Sequence, residues 1–348
     1  FLFIDNPPME SYNHINRREG SMERACPKGK REDISMISEK MKPLVNNNSA
    51  IRAMFEEGKK LAAVYGAENV YDFSLGNPNV PAPDSVGQAI CDILKEEEST
   101  FVHGYMSNAG YEDVRDTIAR SLNRRFGTSF HQNNILMTVG AASGLNIILK
   151  TLLNPGDEVI VFAPYFVEYG SYVRNYDGNL VVISPNTEDF QPNLEKLGEK
   201  ITPRTKAVII NTPNNPTGVV YSAGTLARMA DILRERQTQL GTDIVLISDE
   251  PYRELAYDGV EVPYVTGFYE NTVICYSYSK SLSLPGERIG YLVIPDALKD
   301  SQEVFNAATI ANRVMGAVNA PSLMQRVIKR CVDENVNLQA SDRIRDML

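Results

Sequence analysis

The sequence predicts an α/β fold in which a mostly parallel sheet lies between helices. Two observations carry this reading. Short, β-branched apolar runs recur at 158–162, 180–183, 207–210, 244–247, 272–276 and 289–294. None alternates polar with apolar residues, so each reads as a strand covered on both faces. Polar or helical stretches such as 223–237 separate several of these runs, as crossovers between parallel strands require.

The helices follow from apolar spacing. Residues 50–65 carry Ile51, Met54, Phe55 and Leu61 at helical spacing. Tyr111, Val114, Ile118, Leu122 and Phe126 recur three or four apart and mark a helix with one buried stripe. Leu145, Ile148, Leu149 and Leu152 mark another, stopped by Asn154-Pro155-Gly156. Residues 1–35 show neither period. They are polar, with Pro7-Pro8 and a basic patch from Lys28 to Arg31, and read as a disordered or accessory leader. The apolar start Phe1-Leu2-Phe3-Ile4 is too short for a secretory signal.

Composition excludes several classes of function. A length of 348 residues gives ample core for one large domain or two smaller ones. Lys and Arg total 35 against 44 Asp and Glu, and the net charge of −9 argues against a nucleic-acid surface. Cys26, Cys91, Cys275 and Cys331 are scattered without a Cys-x-x-Cys pair, which points to a reducing, cytoplasmic setting and no structural zinc. His14, His103 and His131 have no suggestive neighbours, so neither a metal site nor a Ser-His-Asp arrangement is expected. No apolar run approaches the ~20 residues that span a bilayer.

In open sheets of this kind, ligands sit outside the carboxyl ends of the strands. Three polar segments fall there: Asn211 to Gly218, Asp249 to Tyr252 and Ser277 to Lys280. Ser277-Tyr278-Ser279-Lys280, followed eight residues later by Arg288, is the most telling. A lysine at the end of a buried strand is costly, and useful when its amine is needed as a neutral nucleophile for a carbonyl. With Asp249 and Asn215 it reads as a site for pyridoxal phosphate, an aldehyde cofactor held by a lysine Schiff base.

Each candidate has a chemical role and a plainer competitor. Burial beside Arg288 would lower the pKa of Lys280; the competitor is a surface lysine in a serine-rich loop. A carboxylate keeps a pyridine ring protonated, and Asp249 and the adjacent Glu250 both qualify, while Asp-Glu-Pro also caps helices well. Tyr252 and Asn215 can donate to a phenolate oxygen, although tyrosines often simply pack and Asn214-Asn215-Pro216-Thr217-Gly218 is a turn signal. Gly140-Ala141-Ala142-Ser143-Gly144 opens a helix with small residues, so its free N–H groups, with Arg288 and Ser277, suit a phosphate. Phe166 is the candidate aromatic over the ring, with Tyr165 as the alternative.

From about Met36 onward the chain resembles the class I aminotransferases, the aspartate-aminotransferase-like branch of the fold type I pyridoxal-phosphate enzymes. Seven segments carry the resemblance in order: Ser74-Leu75-Gly76-Asn77-Pro78, Gly104-Tyr105 with Gly110-Tyr111, Gly140 to Gly144, Pro164-Tyr165-Phe166, Asn214 to Gly218, Asp249-Glu250-Pro251-Tyr252, and Ser277 to Lys280 with Arg288-Ile289-Gly290. The resemblance implies a seven-stranded-type sheet, Lys280 as the Schiff-base lysine and Asp249, rather than Glu250, as the pyridinium partner. It implies Tyr252 and Asn215 on the phenolate oxygen, and Ser277, Arg288, Ala141 and Ala142 around the phosphate. Phe166 would stack on the ring, and Gly76 and Asn215 would lie near the substrate. Tyr105 would reach the site of the neighbouring subunit, so a homodimer with shared sites is implied.

The resemblance also implies four parts: a leader (1–35), the N-terminal part of a small domain (36–74), a large cofactor domain (75–300) and the start of the C-terminal small domain (301–348). That last part normally holds an arginine that clamps the substrate carboxylate. Arg343 and Arg345 lie in no matching motif, so neither is assigned the clamp, and the expectation for the 348 residues as they stand is cofactor binding with little transamination. The expected reaction is ping-pong transfer of an amino group from an amino acid to a 2-oxo acid, with Lys280 as acid and base. A carbon–sulfur lyase or an aminocyclopropane-carboxylate-synthase-like enzyme would share the same cofactor site. A regulator-type sensing domain would call for a helix-turn-helix, and residues 1–35 show none.

Overall fold

The structure is a computed structural model and describes residues 36–46, 50–71 and 76–346. The leader and the C-terminal Leu348 lie outside the described residues. Two compact units are present, Phe1–Gly76 and Asn77 onward.

The described part of the first unit is mainly helical: α1 (Met41–Asn46) and α2 (Ala50–Tyr65). The helical spacing expected over 50–65 is found. Met54 and Leu61 are exposed, and Phe55 is half-buried.

The second unit is built on seven strands: β1 (Ile135–Thr138), β2 (Glu158–Phe162), β3 (Asn179–Ile183), β4 (Thr205–Asn211), β5 (Val245–Asp249), β6 (Thr272–Ser277) and β7 (Gly290–Val293). Their order is β1-β7-β6-β5-β4-β2-β3. All neighbouring pairs are parallel except those of β7, which runs antiparallel to both β1 and β6. The six apolar runs read from the sequence are β2 to β7. β1 was not among them. It is a four-residue run, Ile-Leu-Met-Thr, without β-branched enrichment beyond Ile135 and Thr138, too short to separate from a buried turn of helix.

Helices α3 (Asp84–Glu96), α4 (Ser99–Val102), α5 (Glu112–Phe126), α6 (Gly140–Leu152), α7 (Glu168–Asn175), α8 (Leu194–Lys200), α9 (Ala223–Leu240), α10 (Tyr278–Ser281), α11 (Ser301–Val314), α12 (Ser322–Asp333) and α13 (Val336–Asp346) complete the described residues of this unit. Two apolar clusters cover the two faces of the sheet. Ile160, Val208, Leu246 and Ile274 enter one, and their strand neighbours Val161, Ile209, Ile247 and Val273 enter the other. This explains the lack of polar alternation: each successive side chain meets a core.

α5 shows how local rules and packing agree. Val114, Ile118 and Leu122 are buried, Glu112 and Asp113 open the helix, and Arg124 and Arg125 close it, matching the helix dipole. Gly127 ends the helix at φ 65°, a left-handed position that glycine takes without steric cost. α12 packs on α3 and α5, and α11 packs on α6. These helices belong to the unit that runs from Asn77.

Candidate active site at the carboxyl rim of the sheet

The topology gathers the polar segments. Asn211, Asp249 and Cys275 sit side by side at the ends of β4, β5 and β6. At the other side of the rim, Ser277 of β6 and Thr138 of β1 both pair with Gly290. Because β7 is antiparallel to both, β1 and β6 present their carboxyl ends together. Gly290 must be glycine here, since a Cβ would lie 2.3 Å from the Tyr276 carbonyl and 3.1 Å from Gly140 Cα.

Two adjacent carboxylates leave β5 for different environments. Glu250 is saturated: Ser248 Oγ donates to Oε1 at 2.8 Å and Arg253 Nε to Oε2 at 2.5 Å. Both ends of that ion pair are buried, at 1% and 4% side-chain exposure. Asp249 is half satisfied. Tyr169 Oη donates to Oδ2 at 2.7 Å, while Oδ1 is buried and has no hydrogen-bond partner. Burial pushes the Asp249 carboxyl up to about 7, opposed by the Tyr169 hydrogen bond and assisted by the charge of Glu250. Only Asp249 has a carboxylate oxygen to spare.

The loop after β4 is stapled to β5 through Asn211, whose Nδ2 donates to the Asp249 carbonyl at 2.8 Å and whose Oδ1 accepts from the Asn215 N–H at 2.6 Å. This brings Asn215 to Tyr252, where Nδ2 donates to the phenol oxygen at 3.3 Å. Burial, and secondarily the charge of Asp249, raises the Tyr252 phenol, with Asn215 acting in the opposite direction. Tyr252 therefore remains a donor at neutral pH. The Lys280 ammonium lies 6.0 Å from the centre of the Tyr252 ring. Its pKa is lowered, first by burial and then by Arg288.

The small-residue helix start lies on the β1 side. Gly140 takes φ 74°, and an added Cβ would sit 3.0 Å from Arg288 Nη2, so the guanidinium covers this turn. The N-terminus of α6 has no side-chain cap, which leaves its first N–H groups, those of Ala141 and Ala142 among them, without intrahelical partners. Arg288 itself takes φ 51° and donates from Nη1 to the Pro285 carbonyl at 3.0 Å. Ser277 is buried, and its Oγ lies 2.7 Å from Ser279 Oγ.

Phe166 and Tyr165 follow β2 and are partly buried. Phe166 meets the Tyr169 ring edge-on at 5.6 Å, and Tyr165 stacks near it at 6.4 Å. The structure thus brings Asn215, Asp249, Tyr252 and Lys280 to one part of the rim and Gly140, Ala141, Ser277 and Arg288 to another. Gly76 belongs to the first unit, and Tyr105 lies on the second unit's surface at 94% exposure. Sequence reasoning missed Tyr169, Asn211 and Ser279. For Ser279 the Ser-Tyr-Ser-Lys run was a signal; Tyr169 lies 80 residues from its partner and left none beyond its place one turn after Phe166.

Sheet order brings a strand-end lysine and a half-paired buried carboxylate to one rim of an α/β sheet. The chain belongs to the aminotransferases of class I and II, whose family model matches residues 68–345. It is 34% identical over 263 residues to the probable aspartate/prephenate aminotransferase of Aquifex aeolicus, covering 72% of this chain and 64% of that protein. It is 30% identical over 271 residues to the aspartate aminotransferase of Pyrococcus horikoshii, covering 77% and 65%. The chain thus spans a little under two thirds of the length of these relatives. Among solved structures, an aminotransferase from Eubacterium rectale superposes with a TM-score of 0.83 at 47% identity, over 86% of this chain and 75% of that one. Aspartate aminotransferase from Thermus thermophilus, solved with maleate, gives 0.76 at 28% identity, over 90% and 77%.

Proposed function

We propose that this chain is a pyridoxal-phosphate-dependent aminotransferase that moves an amino group from an amino acid to a 2-oxo acid in a ping-pong reaction. The observation that carries the proposal is Asp249, a buried carboxylate with one oxygen bonded to Tyr169 and the other unpartnered. A buried acceptor of this kind calls for a cationic donor, and the protonated ring nitrogen of the cofactor is one. When bound, the cofactor supplies an electrophilic carbon and an electron-withdrawing ring.

The residues divide the remaining work. Burial, and then Arg288, lower the pKa of Lys280; it would hold the cofactor's aldehyde, and afterwards carry the proton taken from the substrate α-carbon. Asn215 Nδ2 and Tyr252 Oη would donate to the phenolate oxygen. Arg288, Ser277 and the N–H groups of Ala141 and Ala142 would bind the phosphate. Phe166 would pack on the ring, and Asn215 would lie near the substrate. Tyr105, almost wholly exposed, would contact the site of a second copy, so the working form would be a homodimer. A cytoplasmic location goes with this reading, supported by the free thiols of Cys91, Cys275 and Cys331.

A visible spectrum tests the proposal. The chain with added pyridoxal phosphate is expected to show a band near ~420 nm that Lys280→Ala abolishes. A panel of amino acids, aspartate first because the relatives are named for it, should then bleach the band and release one 2-oxo acid per cofactor. Release of pyruvate and ammonia would indicate a lyase. A chain that stays colourless in the presence of cofactor would refute the reading.

A further inference from the structure

Tyr169 has no part in the chemistry above, yet it makes the closest contact to the residue on which that chemistry depends. Its ring is 1% exposed and is confined by Tyr165 stacked at 6.4 Å and Phe166 edge-on at 5.6 Å. The hydroxyl therefore has one direction in which to point, and there it donates to Asp249 Oδ2 at 2.7 Å.

We propose that Tyr169 is a positioning residue for Asp249: its hydroxyl occupies Oδ2, fixes the carboxylate and leaves Oδ1 as the acceptor for a cationic ring nitrogen. The inference rests on the function proposed above and assigns a residue to it.

Three observations support this role. Oδ1 is buried and unpartnered, so Tyr169 supplies the one hydrogen bond that the Asp249 carboxylate receives among the described residues. Glu250 does not compete for the hydroxyl, since Ser248 and Arg253 take its two oxygens. Burial, then the charge of Asp249 and the hydrogen bond to it, raise the Tyr169 phenol well above its ordinary value, so it donates at every working pH. The other titratable groups around Asp249 are Tyr172 from α7, Cys275 from β6, and Tyr252 and Glu250 from the end of β5. Burial raises Tyr172, Tyr252 and Cys275, which keeps all three protonated near neutrality. Lys280 and Arg288 are the nearby cations of the rim. Without the Tyr169 hydroxyl, a buried carboxylate with no donor takes up a proton. That proton then sits on the carboxyl oxygen instead of the ring nitrogen.

The test titrates Asp249 in the full chain, following its carboxyl by carbon NMR before cofactor is added. The midpoint is expected to rise by about one pH unit in Tyr169→Phe, a tenfold change in proton affinity. It is expected to fall when a ring-fluorinated tyrosine, a stronger donor of the same shape, stands at 169. That second variant keeps the test decisive should the Phe variant fold poorly. A midpoint unmoved by either change would overturn the proposal. With cofactor added, Tyr169→Phe should bind pyridoxal phosphate about tenfold more weakly, and should lose nothing toward an analogue with carbon in place of the ring nitrogen. Equal loss toward both would mean damaged packing and would also overturn it. If the wild-type chain takes up neither compound, the function proposed above fails, while the titration still decides whether Tyr169 sets the charge of Asp249.

Discussion

Asp249 and Glu250 are neighbours in sequence, both buried, and opposite in how their oxygens are paired. Glu250 belongs to a closed network: Arg253 pairs with it, donates to the Val262 and Pro263 carbonyls, and lies over the Phe126 and Tyr264 rings. Beside it Glu254 accepts from Arg125 and Tyr276. Both carboxylates and both guanidiniums of that network are paired, and the result is structural. Asp249 keeps one oxygen unpaired in the same low-dielectric surroundings. An unsatisfied buried acceptor is a stability cost, and a ligand that completes it removes that cost. The comparison separates two buried carboxylates by how fully each is paired, and on the function proposed above the incompletely paired one is the one that meets the cofactor.

Exchanging each carboxylate for its amide breaks the comparison most strongly. Glu250→Gln leaves Arg253 buried without its counter-charge, and about 3 kcal/mol or more of unfolding free energy should be lost in urea denaturation, with turnover per folded molecule little changed. Asp249→Asn should do the reverse. Turnover should fall roughly 1,000-fold, because the electrostatic complement of the cationic ring is gone, while the cofactor-free chain becomes more stable above pH 7. Equal effects of the two substitutions on stability would dissolve the distinction.

The pH dependence of the cofactor-free chain sharpens the same contrast. The folded pKa of Asp249, about 7, lies above its ordinary value. The folded state therefore binds the proton more tightly than the unfolded state does. Stability attributable to this group is full below the ordinary aspartate pKa and is lost as pH rises through about 7. The slope is ~1.4 kcal/mol per pH unit while the two states differ by one proton. Urea midpoints measured across that window should decline in the wild type and flatten in Asp249→Asn.

The sequence disclosed the parts of this site more fully than their arrangement. Apolar runs and their spacing identified six of the seven strands, and the segments after β4, β5 and β6 were legible as a rim because parallel strands must end on one side. Whether Asp249 or Glu250 faces a ligand was not legible from residue type, since it depends on Arg253 and Ser248 closing one of them. The antiparallel direction of β7 was equally hidden. A short buried strand carries no directional signal, yet this direction brings Gly140 to Gly290 and Arg288.

Arg288→Lys probes the other end of the rim. Lysine keeps the charge but loses the planar fork, and left-handed backbone at φ 51° remains in both. Cofactor affinity should weaken roughly tenfold through lost charge-assisted hydrogen bonds, read as a rise in the dissociation constant for pyridoxal phosphate. Pyridoxal without its phosphate should bind equally to both proteins. A loss that persists with pyridoxal would assign Arg288 to Lys280 instead of the phosphate.

The smallest effect is expected at Tyr252, where the comparison turns from charge to a single neutral hydrogen bond. Tyr252→Phe removes the phenol that accepts from Asn215 Nδ2 at 3.3 Å, and keeps the ring that lies 6.0 Å from the Lys280 ammonium. One neutral hydrogen bond is worth about 1 kcal/mol, so turnover should fall roughly threefold to tenfold. The visible band should shift its titration upward, since a phenolate oxygen with one donor fewer holds its proton more tightly. Asn215→Ala in the same background should then cost less than it does alone, because the two donors act on one oxygen. Strict additivity would place them on different atoms.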